Sequence, residues 1–570
     1  MTPILATLCC FGLYWLAYRF YARHMARRVF ALDPNRLTPA HELRDDQDYV
    51  PSNRFVLFGH HFASITGLSP MLGPAVAVIW GWLPAMLWVV LGAIFIGAVH
   101  DFGSLVVSIR ARGMSIGKVA EDLIGHRAKS LFHIIIFFLI ALAMGVFVHV
   151  VAVLFTPEFY PQSVLPSASL IFIAVIMGMM IYRRGWNIRS VTLIGFVLML
   201  LFVWWGMERP ILGPSLGQWK WMLLLYAFAA SVLPVWMLLQ PRDYINSLLL
   251  YLGLGGMYLG LFVSPPQFVA PALNTRPDGA PPIFPFVFIV IACGAVSGFH
   301  ALVSSGTTAK QLNRETDATF IGYGGMIGES LLGLMSVLAC TAGFSTSEDW
   351  FAHYSTWQTA EGLGSNISAF IGGSAHFLGG LGVPAQMGAA FVAVVVVSFA
   401  LTTLDSATRL LRYNIAEIGE TLRLPVLGNR YVASALAIAA IWFFAFYERA
   451  GQSAGLLLWQ LFGTTNQLMA GLALLAITLY LLRAGKPVVY TLAPMLFMLA
   501  TTLAAMGIKL VDFWQERNWT LLVTGAVIFS LAIWLGVEAA LAALRYRAQP
   551  HPGVAGIHPV AGKPQIEMER

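Results

Sequence analysis

Residues 59–82 read GHHFASITGLSPMLGPAVAVIWGW. The stretch is apolar enough to lie in a bilayer, yet it opens on His60 and His61. It then meets Ser64, Gly67, Ser69, Pro70, Gly73 and Pro74. A helix that only crosses lipid gains nothing from such residues. Proline removes a backbone donor and clashes with the preceding turn, which frees carbonyl groups. At membrane depth, freed groups persist only where protein, ions or water satisfy them. The stretch is expected to be a broken helix rather than a plain anchor.

The whole chain supports a membrane setting. Of its 570 residues, 58% are hydrophobic and only 11% are charged, with a mean hydropathy of +0.74. Soluble domains carry about 25% charged residues. Apolar runs long enough for about 30 Å of hydrocarbon recur throughout, and the alternation that a β-barrel needs is absent. The expected class is an all-α polytopic membrane protein. Cys9, Cys10, Cys293 and Cys340 form no CxxC pair, so neither a disulfide framework nor a zinc motif is expected. The N-terminus lacks a cleavable signal and reads as a retained first span.

Fifteen spans are expected, at 3–21, 59–80, 83–109, 130–155, 165–183, 188–207, 218–240, 244–264, 283–306, 319–343, 383–406, 431–447, 454–482, 487–509 and 518–544. Charge tests the count. With the N-terminus outside, 28 of the 34 Lys and Arg fall on the cytoplasmic side, leaving Arg209, Lys220, Arg276, Arg449, Lys509 and Arg517 outside. A missed span would reverse every later loop, so the asymmetry supports an outside N-terminus and a cytoplasmic C-terminus. The net charge of +7 is thereby read as topology, with no nucleic-acid partner expected. Residues 115–130 read as a short cytoplasmic surface helix, and 344–382 as a re-entrant or interfacial element. The domain plan is a helix and basic segment over 1–55, a core over 56–410, C-terminal helices over 411–546 and a disordered tail over 547–570.

A second interrupted span is expected at 218–240, where Ser231, Pro234 and Trp236 fall ahead of QPRDYINS. Five spans separate the starts of the two, and an odd number reverses orientation. Inverted repeats over 59–207 and 218–406 follow, with discontinuous helices at matching places, as in secondary transporters. Ser64, Gly67, Ser69, Gly73, Ser231 and Trp236 are the candidate substrate ligands. Ser304 and Ser305 offer hydroxyl oxygens to a sodium ion, the one bound ion expected; no cofactor is. Ionisable residues inside spans face cavities or partners. His60, His61, Asp101 and Glu329 are therefore candidates for proton coupling. Pairing with Arg110 or Arg112 is the equally weighted structural reading of Asp101. Asp405 reads more simply as a cap or a partner of Arg409.

Five blocks, HHFASITGLSPMLGP, QPRDYINS, ACGAVSGFHALVSSGTT, FALTTLDSATRLLRY and WQLFGTTNQLMAGLALL, closely resemble the carbon starvation protein A (CstA) family. The similarity runs from about residue 50 to about residue 480. It implies an inner-membrane transporter of the amino acid–polyamine–organocation superfamily with a LeuT-like 5+5 core and extra terminal helices. It also implies uptake of pyruvate or peptides when carbon is scarce. The expected function is a cation-coupled importer of a small carboxylate or peptide. A membrane-embedded starvation sensor and an intramembrane enzyme are the alternatives. HExxH is absent, and adjacent histidines point to different sides of a helix, so His60 and His61 make an awkward metal pair.

Overall fold

A computed structural model describes residues 2–548 apart from 47, 235, 236, 362, 450 and 451. Trp236 and the expected tail from 549 onward lie outside the described residues. Eleven helices among those described are long and apolar enough to cross a membrane. Arg54–Ile65 with Ser69–Trp80 makes a further span bent by 47°. The three other expected spans fall on shorter or interrupted helices: Leu216–Val232, the pair Ile283–Val290 and Gly298–Gly306, and Arg430–Phe446. Peripheral helices turn apolar side chains outward, as Leu193, Val197, Leu201 and Trp204 do on Ile188–Glu208. Such a face is a liability in water and the natural surface in lipid.

The first break is where the sequence puts it. Asn53 caps Arg54–Ile65 by accepting from Phe55 N, and the helix ends at Ile65. Pro70 enters the second half-helix at its first turn, where a missing N–H costs nothing. A Cβ on Gly67 would stand 2.9 Å from the Phe147 ring and 3.0 Å from Thr403 Oγ1. Only glycine fits that approach without displacing a neighbour.

The second break is elsewhere. Leu216–Val232 ends before Pro234 and the next helix begins at Leu239, so Pro234 lies between two helices rather than within one. Proline there acts as an ordinary stop. The span expected to be continuous, 283–306, is the open one: Ile283–Val290 and Gly298–Gly306 are separated by residues 291–297. Gly294 holds a φ of +86°, and a Cβ on it would stand 3.5 Å from Pro70. The two breaks therefore lie against each other.

Packing gathers the core around them. Arg54–Ile65 lies on Leu239–Val263, Ser69–Ala77 on Gly324–Ala342, and Gly298–Gly306 on Ala98–Arg110 and Ala454–Arg483. His126–Leu154 lies on Ala385–Leu422 and Arg430–Phe446. The 344–382 segment forms helices Ser347–His353, Trp357–Glu361 and Leu363–Gly379. The last of these packs on Ser69–Ala77, Leu239–Val263, Gly324–Ala342 and Ala385–Leu422. The surface helix expected over 115–130 is shorter, Ile116–Leu123, and it buries Ile116, Val119, Ala120 and Leu123 against neighbouring helices.

Candidate functional site

Unwinding a helix orphans backbone groups, and side chains from distant helices serve both breaks. At the first, Thr402 Oγ1 lies 3.1 Å from Ala63 O and Thr403 Oγ1 lies 3.4 Å from Ser64 O. Ser336 Oγ donates to Met71 O at 2.6 Å. At the second, Gln467 Nε2 donates to Phe288 O at 2.8 Å and Trp88 Nε1 donates to Ile291 O at 3.3 Å. Asn466 Oδ1 accepts from Phe299 N at 3.0 Å and from Ser297 Oγ at 3.2 Å. The Asn–Gln pair of WQLFGTTNQLMAGLALL thus holds the second break open. Nothing local in that block points to this role, because Asn466 and Phe299 stand 167 positions apart.

Between the breaks lies a small cavity, with about 20 Å³ open to a water-sized sphere. Gly67 and Ser69 line it from one broken helix, Cys293 and Phe299 from the other, with Phe147, Thr403 and Phe462 closing the sides. It is predominantly apolar, as small-ligand sites are. Ser69 Oγ is buried there with no hydrogen-bond partner. Both second halves, Ser69–Ala77 and Gly298–Gly306, begin at the breaks. Their N-termini carry partial positive charge.

Two buried groups of carboxylates and histidines flank the breaks. In the first, His60 Nδ1 lies 2.6 Å from Asp243 Oδ2, and Ser64 Oγ donates to the same oxygen at 3.3 Å. Ser64 Oγ also lies 3.0 Å from Ser406 Oγ. Among the described residues His60 Nε2 and Asp243 Oδ1 have no hydrogen-bond partner. Asp243 belongs to QPRDYINS, and its partner His60 lies 183 positions away, beyond the reach of any local signal. In the second group, His100 Nδ1 lies 2.7 Å from Asp101 Oδ1 and His300 Nδ1 lies 2.8 Å from Asp101 Oδ2. His300 Nε2 is 3.3 Å from Glu329 Oε2. The structure thus joins Asp101 and Glu329 through His300. Arg110 instead meets Glu315 at 2.6 Å, and Arg112 meets Glu42 at 3.9 Å.

The other sequence candidates are dispersed. His61 Nδ1 lies 2.9 Å from Thr308 Oγ1, on a different face of the helix from His60. Gly73 packs on the backbone of Val290 and Ile291, and Ser231 Oγ lies 3.0 Å from Ser434 Oγ. Ser305 Oγ donates to Ala301 O at 2.7 Å and accepts from Ile116 N at 3.2 Å, while Ser304 Oγ is buried without a partner. The hydroxyls that meet the first break are Thr402 and Thr403. Asp405 pairs with Arg242 and Tyr226 rather than Arg409. Arg409 instead turns to the carbonyls of Ala230 and Leu233, which the end of Leu216–Val232 leaves free.

Comparison with known proteins places this geometry. The chain matches the carbon starvation protein CstA family over residues 2–352 and 343–505. It belongs to that family. The peptide transporter CstA of Campylobacter jejuni is 34% identical, across 90% of this chain and 81% of its own. The pyruvate/proton symporter BtsT of Escherichia coli is also 34% identical, across 88% of this chain and 80% of its own. A manganese transporter of Eremococcus coleocola superposes with a TM-score of 0.50 at 12% identity, covering 88% of this chain and 99% of that one; that likeness concerns the fold alone. This CstA-family chain is a multi-span secondary transporter of the bacterial inner membrane with a LeuT-like core, and not an enzyme.

Proposed function

We propose that this CstA-family transporter imports a small carboxylate of the pyruvate class, driven by protons, through the cavity between the two breaks. The single observation that carries this reading is the small apolar cavity between the breaks, in which Ser69 offers a hydroxyl with no hydrogen-bond partner among the described residues. Half-helix N-termini beside it suit a carboxylate. The repeats in this reading start at the breaks, 54–263 and 283–483, with the hairpin 161–208 inserted in the first. Seven crossings separate their starts, still an odd number, so the inversion inferred from the sequence is kept. The N-terminus is taken as outside and the C-terminus as cytoplasmic, from the Lys and Arg asymmetry.

For the coupling proton we assign the His60–Asp243 pair. It joins Arg54–Ile65 to Leu239–Val263, and each partner keeps one unpaired buried atom. Coupling-ion sites in such transporters are built on discontinuous helices, and His60 stands on the first of these. Peptides are the second reading, because relatives are named peptide transporters. Purified protein in sealed vesicles decides between them. Labelled pyruvate accumulating under an inward proton gradient supports the proposal. Dipeptide accumulation in its place moves the substrate class, and a requirement for sodium moves the coupling ion. Binding with no accumulation under any gradient defeats transport.

A further inference from the structure

Asp101 and Glu329 are fully buried, and the partners that reach them are imidazoles: His100 and His300 for Asp101, His300 for Glu329. Buried carboxylates are ordinarily neutralised by a paired cation or a metal. At Glu329 the pairing is incomplete. Among the described residues neither of its oxygens nor His300 Nε2 makes a well-formed hydrogen bond, although the nearest two lie only 3.3 Å apart and the Gly294 backbone and Cys293 stand close by. Cys293 faces them from the unwound segment 291–297. Its sulfur, a ring nitrogen of His300 and a carboxylate oxygen of Glu329 all lie within 4.8 Å of one another.

We propose that Cys293, His300 and Glu329 bind a divalent metal ion of the borderline-soft class, Zn²⁺ foremost. A thiolate, an imidazole and a carboxylate form the donor set that zinc accepts, and a hard cation such as Mg²⁺ or Ca²⁺ does not use the thiolate. Donors around a tetrahedral zinc stand about 3.5 Å apart, so modest side-chain rotations close the triangle. Asp101 supplies the support such a site needs. By accepting from His300 Nδ1–H, it leaves the Nε2 lone pair for the metal and fixes the plane of the ring. The ion's two positive charges offset Glu329 and the Cys293 thiolate, and Asp101 keeps two imidazole donors.

The site ties the second break to the Glu315–Ala342 helix. It also borders the transport path, because Cys293 lines the cavity. The inference does not depend on the identity of the substrate or on the coupling proton. It turns an interrupted helix into one whose open segment is cross-linked.

The test uses the full-length protein, purified in detergent without chelators, with metal content measured by mass spectrometry. The expected result is about one zinc per chain, as for a structural site. Cys293→Ser and Glu329→Gln should each reduce occupancy to background, while Cys340→Ser, elsewhere in the same helical core, retains it. Asp101→Asn should weaken zinc affinity by about 10–100-fold. Should the variants fail to fold, wild-type protein stripped of metal and reloaded with Co²⁺ alone should show a thiolate-to-cobalt charge-transfer band. Wild-type protein without stoichiometric metal and without that band, or full zinc retention in Cys293→Ser, overturns the site. Uptake measured on the same preparation keeps the two readings separate: zinc with no transport counts against the proposed function and leaves the metal site standing.

Discussion

Asn466 is the side chain on which the shape of the second break depends. Its Oδ1 accepts from Phe299 N at 3.0 Å and Ser297 Oγ at 3.2 Å, and its Nδ2 reaches Ser297 Oγ at 3.1 Å. Asn466→Leu fills similar space and removes the acceptor. The Ser297 hydroxyl can rotate toward another oxygen, but the Phe299 N–H is fixed at the start of a buried half-helix. Stranding one such donor costs about 1–3 kcal/mol. Gln467 still holds Phe288 O and Trp88 still reaches Ile291 O, so the loss stays within that range. Ser297→Ala provides the internal control, because it removes only a hydroxyl and leaves the Phe299 N–H on Asn466 Oδ1. Reversible unfolding in mixed micelles should give the leucine variant about 1–3 kcal/mol less stability and the alanine variant a smaller deficit. A leucine variant within about 0.5 kcal/mol of wild type, the range of an ordinary surface change, would refute the idea that this amide maintains the break. A Ser297→Ala variant as damaged as leucine would do the same.

Further perturbations test the transport path. Asp243→Asn keeps an oxygen for His60 and removes the titratable carboxyl; wild type should accumulate substrate about tenfold per pH unit and proton, and the variant should only equilibrate, with exchange intact. Unchanged accumulation in that variant removes Asp243 from coupling. Ser69→Ala should raise the KM for the carboxylate by about tenfold or more, the worth of a hydrogen bond to a charged group, with folding unaffected; an unchanged KM takes Ser69 out of the binding site. Gly67→Val should cost about 1–3 kcal/mol of overpacking against Phe147 and Thr403 and abolish uptake; normal uptake would mean that the cavity is not the path.

How much of this was legible in the sequence follows from the range of the forces involved. The membrane class and the first break were readable because hydropathy is additive along the chain and because proline and glycine act locally at 66–74. The second break was not, since no proline lies within 291–297 and the residue that holds it open, Asn466, is 167 positions from Phe299. Pro234 carried the stronger local signal and the weaker consequence: it ends a helix. The partners of buried charges are equally non-local. Arg409 stands near Asp405 in sequence, yet Arg242 neutralises Asp405, because Arg409 is drawn to carbonyls freed at the end of another helix.

The adjacent histidines of the opening stretch show what the third dimension adds. Neighbouring residues on a helix point about 100° apart, so His60 and His61 cannot share a metal; instead they divide the half-helix between two neighbours. His60 reaches Asp243 on Leu239–Val263, and His61 reaches Thr308, which follows directly on Gly298–Gly306. Arg54–Ile65 is thereby fastened on one side to the proposed proton pair and on the other to the end of the second broken helix. Under the proposed coupling, protonation of the pair would loosen the first fastening while the His61–Thr308 contact holds the second. The two residues that first look like a metal pair are better understood as the two ends of one lever.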